Sequence, residues 1–371
     1  NNLGCTCYLN ASVQQLFHIK EIRNAIFSYD PGIETTTTKT TTKTNTENTE
    51  SSNGGGDDKK VDVSGDNEDV DNDYISKNWL CQLQLLMANL KYAPLSAIDA
   101  SGFVSHWKMY GNDTIDPNEQ QDAVEFLQIL LNRLDESIPG KPISKCIRGQ
   151  IIHTIKQMNG DFQSQSYEDF ITFTLEVINK KNFSESFDAF LEPDIFDGDN
   201  KYNVEDIGQI DAARYHAIKK SPEILIFQLK RFDFDLSSLT RKKINSEYQI
   251  DKDVDISRLL YKNNNQPCIY ELFGIIEHSG GAEGGHYISL IKSNEIQTEN
   301  ENESSSGWRT FNDSRVSNID ENEVLKRATG GVYTRRFYDP VKQTVKTLQS
   351  TKIESAYILF YRKKPNKEEE K

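Results

Sequence analysis

Asn1-Asn2-Leu3-Gly4-Cys5-Thr6-Cys7-Tyr8-Leu9-Asn10, running into Ala11-Ser12-Val13-Gln14-Gln15-Leu16-Phe17-His18, is the stretch from which the rest of the chain can be read. A short turn containing Gly4 leads into a segment whose apolar residues Leu9, Val13, Leu16 and Phe17 recur at three- and four-residue steps, the helical period. Cys7 is therefore expected at or just before a helix N-terminus. Unpaired backbone N–H groups and the positive end of the helix dipole there favour a thiolate, and the same N–H groups can hold an oxyanion. Two plainer readings stand beside this one. A free cysteine is often just a small buried hydrophobe, and Cys5-x-Cys7 is the shape of half a metal site, although no second Cys or His pair follows at ligand spacing.

At 371 residues, with 36% hydrophobic residues, 18 Phe and 16 Tyr, the chain has ample material for a substantial core. No apolar run approaches the length of a membrane span, and no signal-like segment opens the sequence. It starts without Met and inside a motif, so it reads as part of a longer chain. Five scattered cysteines (Cys5, Cys7, Cys81, Cys146, Cys268) show no disulfide framework and suit a reducing compartment, cytoplasmic and possibly also nuclear. Half of the net charge of -14 lies in residues 34–73, with eleven acidic residues against four lysines, so the remainder is only mildly acidic. No basic patch suggests nucleic acid as a partner.

Helices are expected at about Cys7 to Phe27, over the stripe Trp79, Leu80, Leu83, Leu86, Met87 and Leu90, and from Asp116 as N-cap with Pro117 at the first helical position, continuing to Leu134. Asp122 and Glu125 then share one face, away from the apolar stripe. From about residue 146 the pattern turns to strands: Ile151 to Ile155, Phe170 to Ile178, Ile224 to Phe232, Tyr270 to Glu277, Tyr287 to Ile291, Trp308 to Phe311 and Tyr357 to Tyr361. Helices first and strands later predict an α+β fold with a mostly antiparallel sheet. Residues 33–73, Thr-rich and then Asn/Gly/Asp-rich, have too few large apolar side chains to offset the entropy of ordering and are read as a disordered insertion. A second low-complexity loop covers 294–306.

A thiolate nucleophile in a hydrolase needs a base, a group that orients the base, and an oxyanion donor. His286 follows Gly280-Gly281-Ala282-Glu283-Gly284-Gly285, a glycine-rich approach to the start of a strand. If the strand from Tyr287 pairs antiparallel with the one ending at Phe311, His286 falls beside Asn312 and Asp313, either of which would fix its tautomer. His278, the competing base, has no carboxylate-bearing strand end opposite it. The plain alternatives are a loop histidine and an ordinary turn after a strand.

Taken together, these motifs resemble the ubiquitin-specific proteases. The opening stretch is similar to their cysteine box, and Gln120-Gln121-Asp122-Ala123-Val124-Glu125-Phe126-Leu127 to their Gln-Asp-Ala-x-Glu-Phe element. Leu229-Lys230-Arg231-Phe232 resembles their Leu-Lys-Arg-Phe strand, and Gly284-Gly285-His286-Tyr287 their histidine box. Trp308 through Phe311-Asn312-Asp313-Ser314-x-Val316 resembles its closing part, and Ala356 to Tyr361 the terminal strand. The insertion around Gly330-Gly331-Val332-Tyr333 is most similar to the large fat-facets-type members.

The resemblance implies a papain-like cysteine protease fold in one catalytic domain. A helical thumb would span 1–145, and an antiparallel-sheet palm with β fingers 146–371. It implies a deubiquitinating enzyme with Cys7 as nucleophile, His286 as base, Asn312 as the residue orienting it, Asp313 as an alternative helper and Asn2 as a side-chain oxyanion donor. Asp122 and Glu125 would meet the arginine-bearing ubiquitin tail, which overrides the solvated-face reading of them. Gly284 and Gly285 would admit that narrow tail, and Tyr287 would line its tunnel. The partners implied are ubiquitin and ubiquitinated proteins. The other readings are a catalytically silent ubiquitin-binding module and a protease for a ubiquitin-like modifier. The chain departs from the family at the finger tips, near Gln157 to Gly160 and Val204 to Ile207. Two Cys-x-x-Cys pairs often bind zinc there, but this sequence has no cysteine, so no metal or other cofactor is expected. Cys5 stands where Asn or Ala is usual, and is too close to Cys7 for an unstrained disulfide.

Overall fold

The computed structural model describes residues 2–31, 76–109, 111, 114–263, 266–292, 307–339 and 343–365. The expected insertion 33–73 and the loop 294–306 lie outside these described residues. The first part is helical: α1 (Cys7–His18), α2 (Lys20–Phe27), α3 (Trp79–Tyr92), α4 (Ser101–His106), α5 (Ala123–Ser137) and α6 (Pro142–Ile147). Next come β1 (Gly149–Gln157), β2 (Gln163–Phe170), β3 (Thr172–Glu176), α7 (Phe183–Leu191), β4 (Asp194–Phe196), β5 (Tyr202–Val204), β6 (Gly208–Ile210) and β7 (Ala212–Lys220). β8 (Ile224–Lys230), β9 (Phe232–Asp235), β10 (Thr240–Lys243), β11 (Asp253–Asp255), β12 (Ile269–Gly280), β13 (Gly285–Lys292), β14 (Trp308–Asn312) and β15 (Arg315–Asn318) follow. α8 (Glu321–Ala328), β16 (Val332–Asp339), β17 (Thr344–Thr351) and β18 (Glu354–Lys363) complete the described elements.

This is the α+β arrangement expected. A palm sheet runs β15-β14-β13-β12-β18-β8-β3 with β11 paired to β12, and every described pairing in it is antiparallel except β3 with β8. The palm is covered on both faces, which explains why its strands read as continuous apolar runs rather than alternating ones. In β18, Ile358 and Phe360 join the helical core with α1 and α5, while Leu359 and Tyr361 pack with Phe183 and Phe187 of α7 and Val324 of α8. The fingers are a separate four-stranded sheet, β2-β1-β7-β4, and here one side stays wet: all but two residues of β2 are exposed.

Four boundaries differ from the sequence reading. The first helix breaks at Ile19, which leaves helical geometry (φ -89°, ψ 102°) with its side chain fully buried. Arg23 Nη1 of α2 then donates to the Phe17 carbonyl, satisfying one of the acceptors freed by the break. The helix expected from Asp116 starts at Ala123 instead, because Asp116 uses its carboxylate in a tight turn onto Asn118 N–H, and Asp122 caps Val124 and Glu125. The expected strand Phe170 to Ile178 is two: β2 ends in the fingers and β3 begins in the palm. That from Ile224 to Phe232 is interrupted at the fully buried Arg231, whose guanidinium donates to the carbonyls of Ala356, Ile244, Ser246 and Thr329.

Candidate active site

Cys7 is the first residue of α1, 3% exposed, and the reason lies in its neighbours. Thr6 occupies the N-cap position but its hydroxyl makes no capping bond to the helix. It donates instead to Asn2 Oδ1 and accepts from Leu3 N–H, fastening the preceding turn. Asn2 Oδ1 also accepts from the backbone of Gly4 and Thr6. The N–H groups of the first helical turn are thereby left without a side-chain cap beside the sulfur, where they can hold an oxyanion. Gly4 is required here: at φ +138°, an added Cβ would lie 2.5 Å from the Pro117 carbonyl oxygen, to which Cys5 N–H donates.

Two buried polar side chains tie α1 to the palm. Gln15 Nε2 donates to the carbonyls of Ile275 (2.9 Å) and Leu290 (3.3 Å), and Ser289 Oγ donates to the Ala11 carbonyl (2.7 Å). Both residues are completely buried, so their bonds form in a low-dielectric seam where losing one is costly. This seam sets the position of β13, and with it His286, relative to Cys7.

His286 hydrogen-bonds Cys7, and its Nε2 meets Asn312 Oδ1 at 2.7 Å. The bond to Cys7 is the largest influence raising the imidazole pKa, to about 9, with the Asn312 bond and the Cys7 and Asp313 charges adding and burial opposing. The expected pairing of β13 with β14 is present, Ser289 opposite Phe311, and it carries the chain into the Asp313-Ser314 turn. Asp313 adopts φ +50°, a left-handed conformation that Asp tolerates better than most residues. It sits 3.7 Å from His286 Nε2 through Oδ2, which also accepts from Asn2 Nδ2 (3.1 Å), while Oδ1 accepts from Asn10 Nδ2 (2.7 Å). Asn2, Cys7, His286, Asn312 and Asp313 are thus brought into one cluster.

His278 is the contrasting histidine. It is buried in β12 opposite Tyr287, packed against Phe232, and burial followed by the Lys243 and His286 charges pushes its pKa down to about 3. Its ring forms a wall against which Gly285 lies so closely that a Cβ there would overlap it. The backbone of Gly285 is held on the other side by Gln120 Oε1, which accepts its N–H at 3.0 Å. A cleft of about 350 Å³ runs past this point, lined among others by Gln120, Asp122, Phe234, Glu283, Gly284 and Tyr287. Asp122 faces it while already committed to the start of α5 and to Tyr357, whose hydroxyl donates to Oδ2 at 2.6 Å. Glu125 lies one turn along α5 and is not among the residues lining the cleft.

The sequence reading did not assign roles to Gln120, Asn10, Gln15 or Ser289. Asn10 had a usable signal, since it follows Cys7 by three residues and shares its helix face. Gln120 had only its adjacency to a motif, and the Gln15–Ser289 seam joins positions 274 residues apart, with no local trace.

The sequence profile described as ubiquitin carboxyl-terminal hydrolase matches residues 1–361. The chain is 26% identical over 392 residues to human ubiquitin carboxyl-terminal hydrolase 34, covering 99% of this chain and 10% of that protein. It is 27% identical over 402 residues to human ubiquitin carboxyl-terminal hydrolase 9Y, covering 97% of this chain and 15% of that protein. To ubiquitin C-terminal hydrolase 12 of Arabidopsis thaliana it is 27% identical over 377 residues, covering 99% and 29%. The chain therefore spans between a tenth and three tenths of the length of these relatives.

Proposed function

The chain belongs to the ubiquitin carboxyl-terminal hydrolase family, and from that premise we propose that it is a deubiquitinating cysteine protease. The observation that carries the reading is His286 bonded at once to Cys7 and to Asn312, one residue before Tyr287 and two after Gly284, both of which line the cleft.

In the proposed reaction His286 takes the Cys7 proton, and the thiolate attacks the carbonyl carbon of the C-terminal glycine of ubiquitin. The oxyanion is held by Asn2 Nδ2–H and the free N–H groups at the start of α1, at about 3 kcal/mol per donor. The His286 imidazolium protonates the departing amine, leaving a thioester. A water deprotonated by His286 then attacks the thioester and releases ubiquitin and the Cys7 thiol. Asn312 fixes the ring through Nε2, and Asp313 stabilises the imidazolium while ordering Asn2. Asp122 supplies negative charge to the arginine-bearing tail and Glu125 adds to it from one turn further on, while Tyr287 lines the tail's path. Zinc is not needed at the finger tips, where no cysteine stands, and a reducing compartment, cytoplasmic or nuclear, suits a thiol enzyme.

Ubiquitin carrying a thiol-reactive group at its C-terminus tests the proposal. The expected product is a single adduct on Cys7, mapped by mass spectrometry. Binding of ubiquitin without an adduct would instead describe a silent binding module. An adduct only with a modifier whose tail lacks the basic charge would redirect the specificity.

A further inference from the structure

A second concavity adjoins the site, on the side of His286 away from the tail cleft. His286 stands on β13 in the palm order β15-β14-β13-β12-β18-β8. The cleft lies toward β12 and the β9–β10 hairpin, with His278, Phe232, Phe234 and Arg241 in its walls. The second concavity lies toward β14 and β15. It is a groove of about 200 Å³ whose walls include Phe311 and Val316 of those strands, Val13 and Phe17 of α1, Leu90 of α3 and Leu95 just beyond it. Asn10 and Asp313, bonded to each other in the catalytic cluster, also line it, so the groove starts at the site itself. Among the described residues none lines both concavities.

The chemistry of the groove restricts what it can hold. Of the described residues lining it, His18 and Asp313 alone are ionisable. His18 Nδ1 meets the Gln14 carbonyl and its ring packs on Phe311, while Asp313 is committed to Asn2 and Asn10. A charged ligand therefore finds no counter-ion to spare. The volume falls below the roughly 300 Å³ at which small-molecule pockets begin, and it suits one large apolar side chain. Leu95 and Val316, 65% and 54% exposed, leave apolar surface beside that space for the backbone carrying such a side chain to cover.

The course of the reaction says which polypeptide that is. With the ubiquitin tail in the cleft on the β12 side, its last carbonyl lies at Cys7, and the bond to be broken leads on past His286. The departing nitrogen belongs to a lysine side chain, so the protein bearing that lysine extends to the β14–β15 side, where the groove opens. We propose, resting on the deubiquitinating reading above, that the groove binds the ubiquitinated protein through an apolar side chain within a few residues of the modified lysine. Leu95 and Val316 then select among acceptor lysines by their neighbours. The selection acts only when the leaving group is a polypeptide, because a small leaving group ends before it reaches the groove.

The test compares three substrates: ubiquitin joined through an isopeptide bond to a short peptide whose lysine is flanked by leucines, the same conjugate with serines in their place, and ubiquitin carrying an aminocoumarin at its C-terminus. The parent chain should cleave the leucine conjugate with a kcat/KM roughly tenfold above that of the serine conjugate. In Leu95→Ser and in Val316→Ser that preference should shrink, and in the double variant it should vanish, while the aminocoumarin substrate is cleaved at the parent rate throughout. Equal cleavage of both conjugates by the parent, with the aminocoumarin substrate turned over, would overturn this inference and leave the deubiquitinating reading standing. A preference that survives in the double variant would overturn it as well. Failure of the parent on all three substrates would overturn both.

Discussion

The seam between α1 and the palm and the sheet of the fingers solve the same problem, holding distant strands in register, with opposite means. The seam is closed to solvent: Gln15, Ser289, Ile276 and Tyr287 are buried, and Gln15 Nε2 and Ser289 Oγ have specific partners there, while Gln15 Oε1 is buried without one among the described residues. The fingers are thin, with β2 mostly exposed and polar side chains such as His153 and His216 reaching across strands. Precision is concentrated where two halves of a reaction must meet, because a displacement of a fraction of an ångström between thiol and imidazole is felt there and nowhere else.

The comparison can be broken most severely at the thiol. Cys7→Ser should lower the rate of ubiquitin release by a factor on the order of 10⁴ or more while ubiquitin binding and thermal unfolding stay near those of the parent. Residual cleavage near the parent rate would remove Cys7 from the reaction. Next in size, Asn312→Ala should reduce kcat/KM by roughly 10²-fold or more, and Asp313→Ala by less; the reverse order would show that Asp313 orients the base. Within the seam, Gln15→Ala frees two buried carbonyls and Ser289→Ala one, each expected to cost about 1–3 kcal/mol in chemical denaturation, with kcat falling because His286 is carried on the same strand.

The pH profile sharpens the contrast between the two histidines. The pKa of His286 is raised to about 9, so the imidazolium partner of Cys7 persists through neutral pH and is lost as pH rises through about 9, where activity should decline. The same bond stabilises the fold below the unfolded imidazole value near 6.5 and that contribution disappears across the same upper window. In Cys7→Ala the first cause of the shift is gone, and NMR titration should find His286 moved down toward the ordinary value, while His278, held near 3 chiefly by burial, should not titrate at neutral pH. The smallest effect is expected in the fingers. Tyr167 is 55% exposed, and Tyr167→Ser should change stability by less than about 0.5 kcal/mol.

Much of the site was legible because its chemistry is local. A helical stripe starting at Cys7 placed the thiol, four glycines before His286 announced a close backbone approach, and antiparallel pairing brought Asn312 alongside. The start of α5 was misread because Asp116-Pro117 and Asp122 both carry N-cap chemistry, and only the burial of Ala123 and Val124 together with the Tyr357 bond decides between them. The hairpins β9–β10 and β16–β17 were not read from the sequence: each forms a two-stranded sheet of its own and is largely exposed, and of β9 only Phe232 reaches the core, against His278 and Tyr357. α7 and α8 are short, and their apolar faces become meaningful only against the outer face of the palm.

The sequence by itself determined the α+β order, the helix that presents Cys7, the glycine approach to His286 and the strands of the palm, because period and turn chemistry act over a few residues. Tertiary structure alone decided that Gln15 and Ser289 would lock α1 to β13, that His278 would be a wall while His286 bonds the thiol, and that Glu168, His153, His216 and Asp194 would align across the four strands of the fingers. Those outcomes depend on burial and on partners far along the chain, and no local pattern encodes the desolvation and pairing that such contacts require.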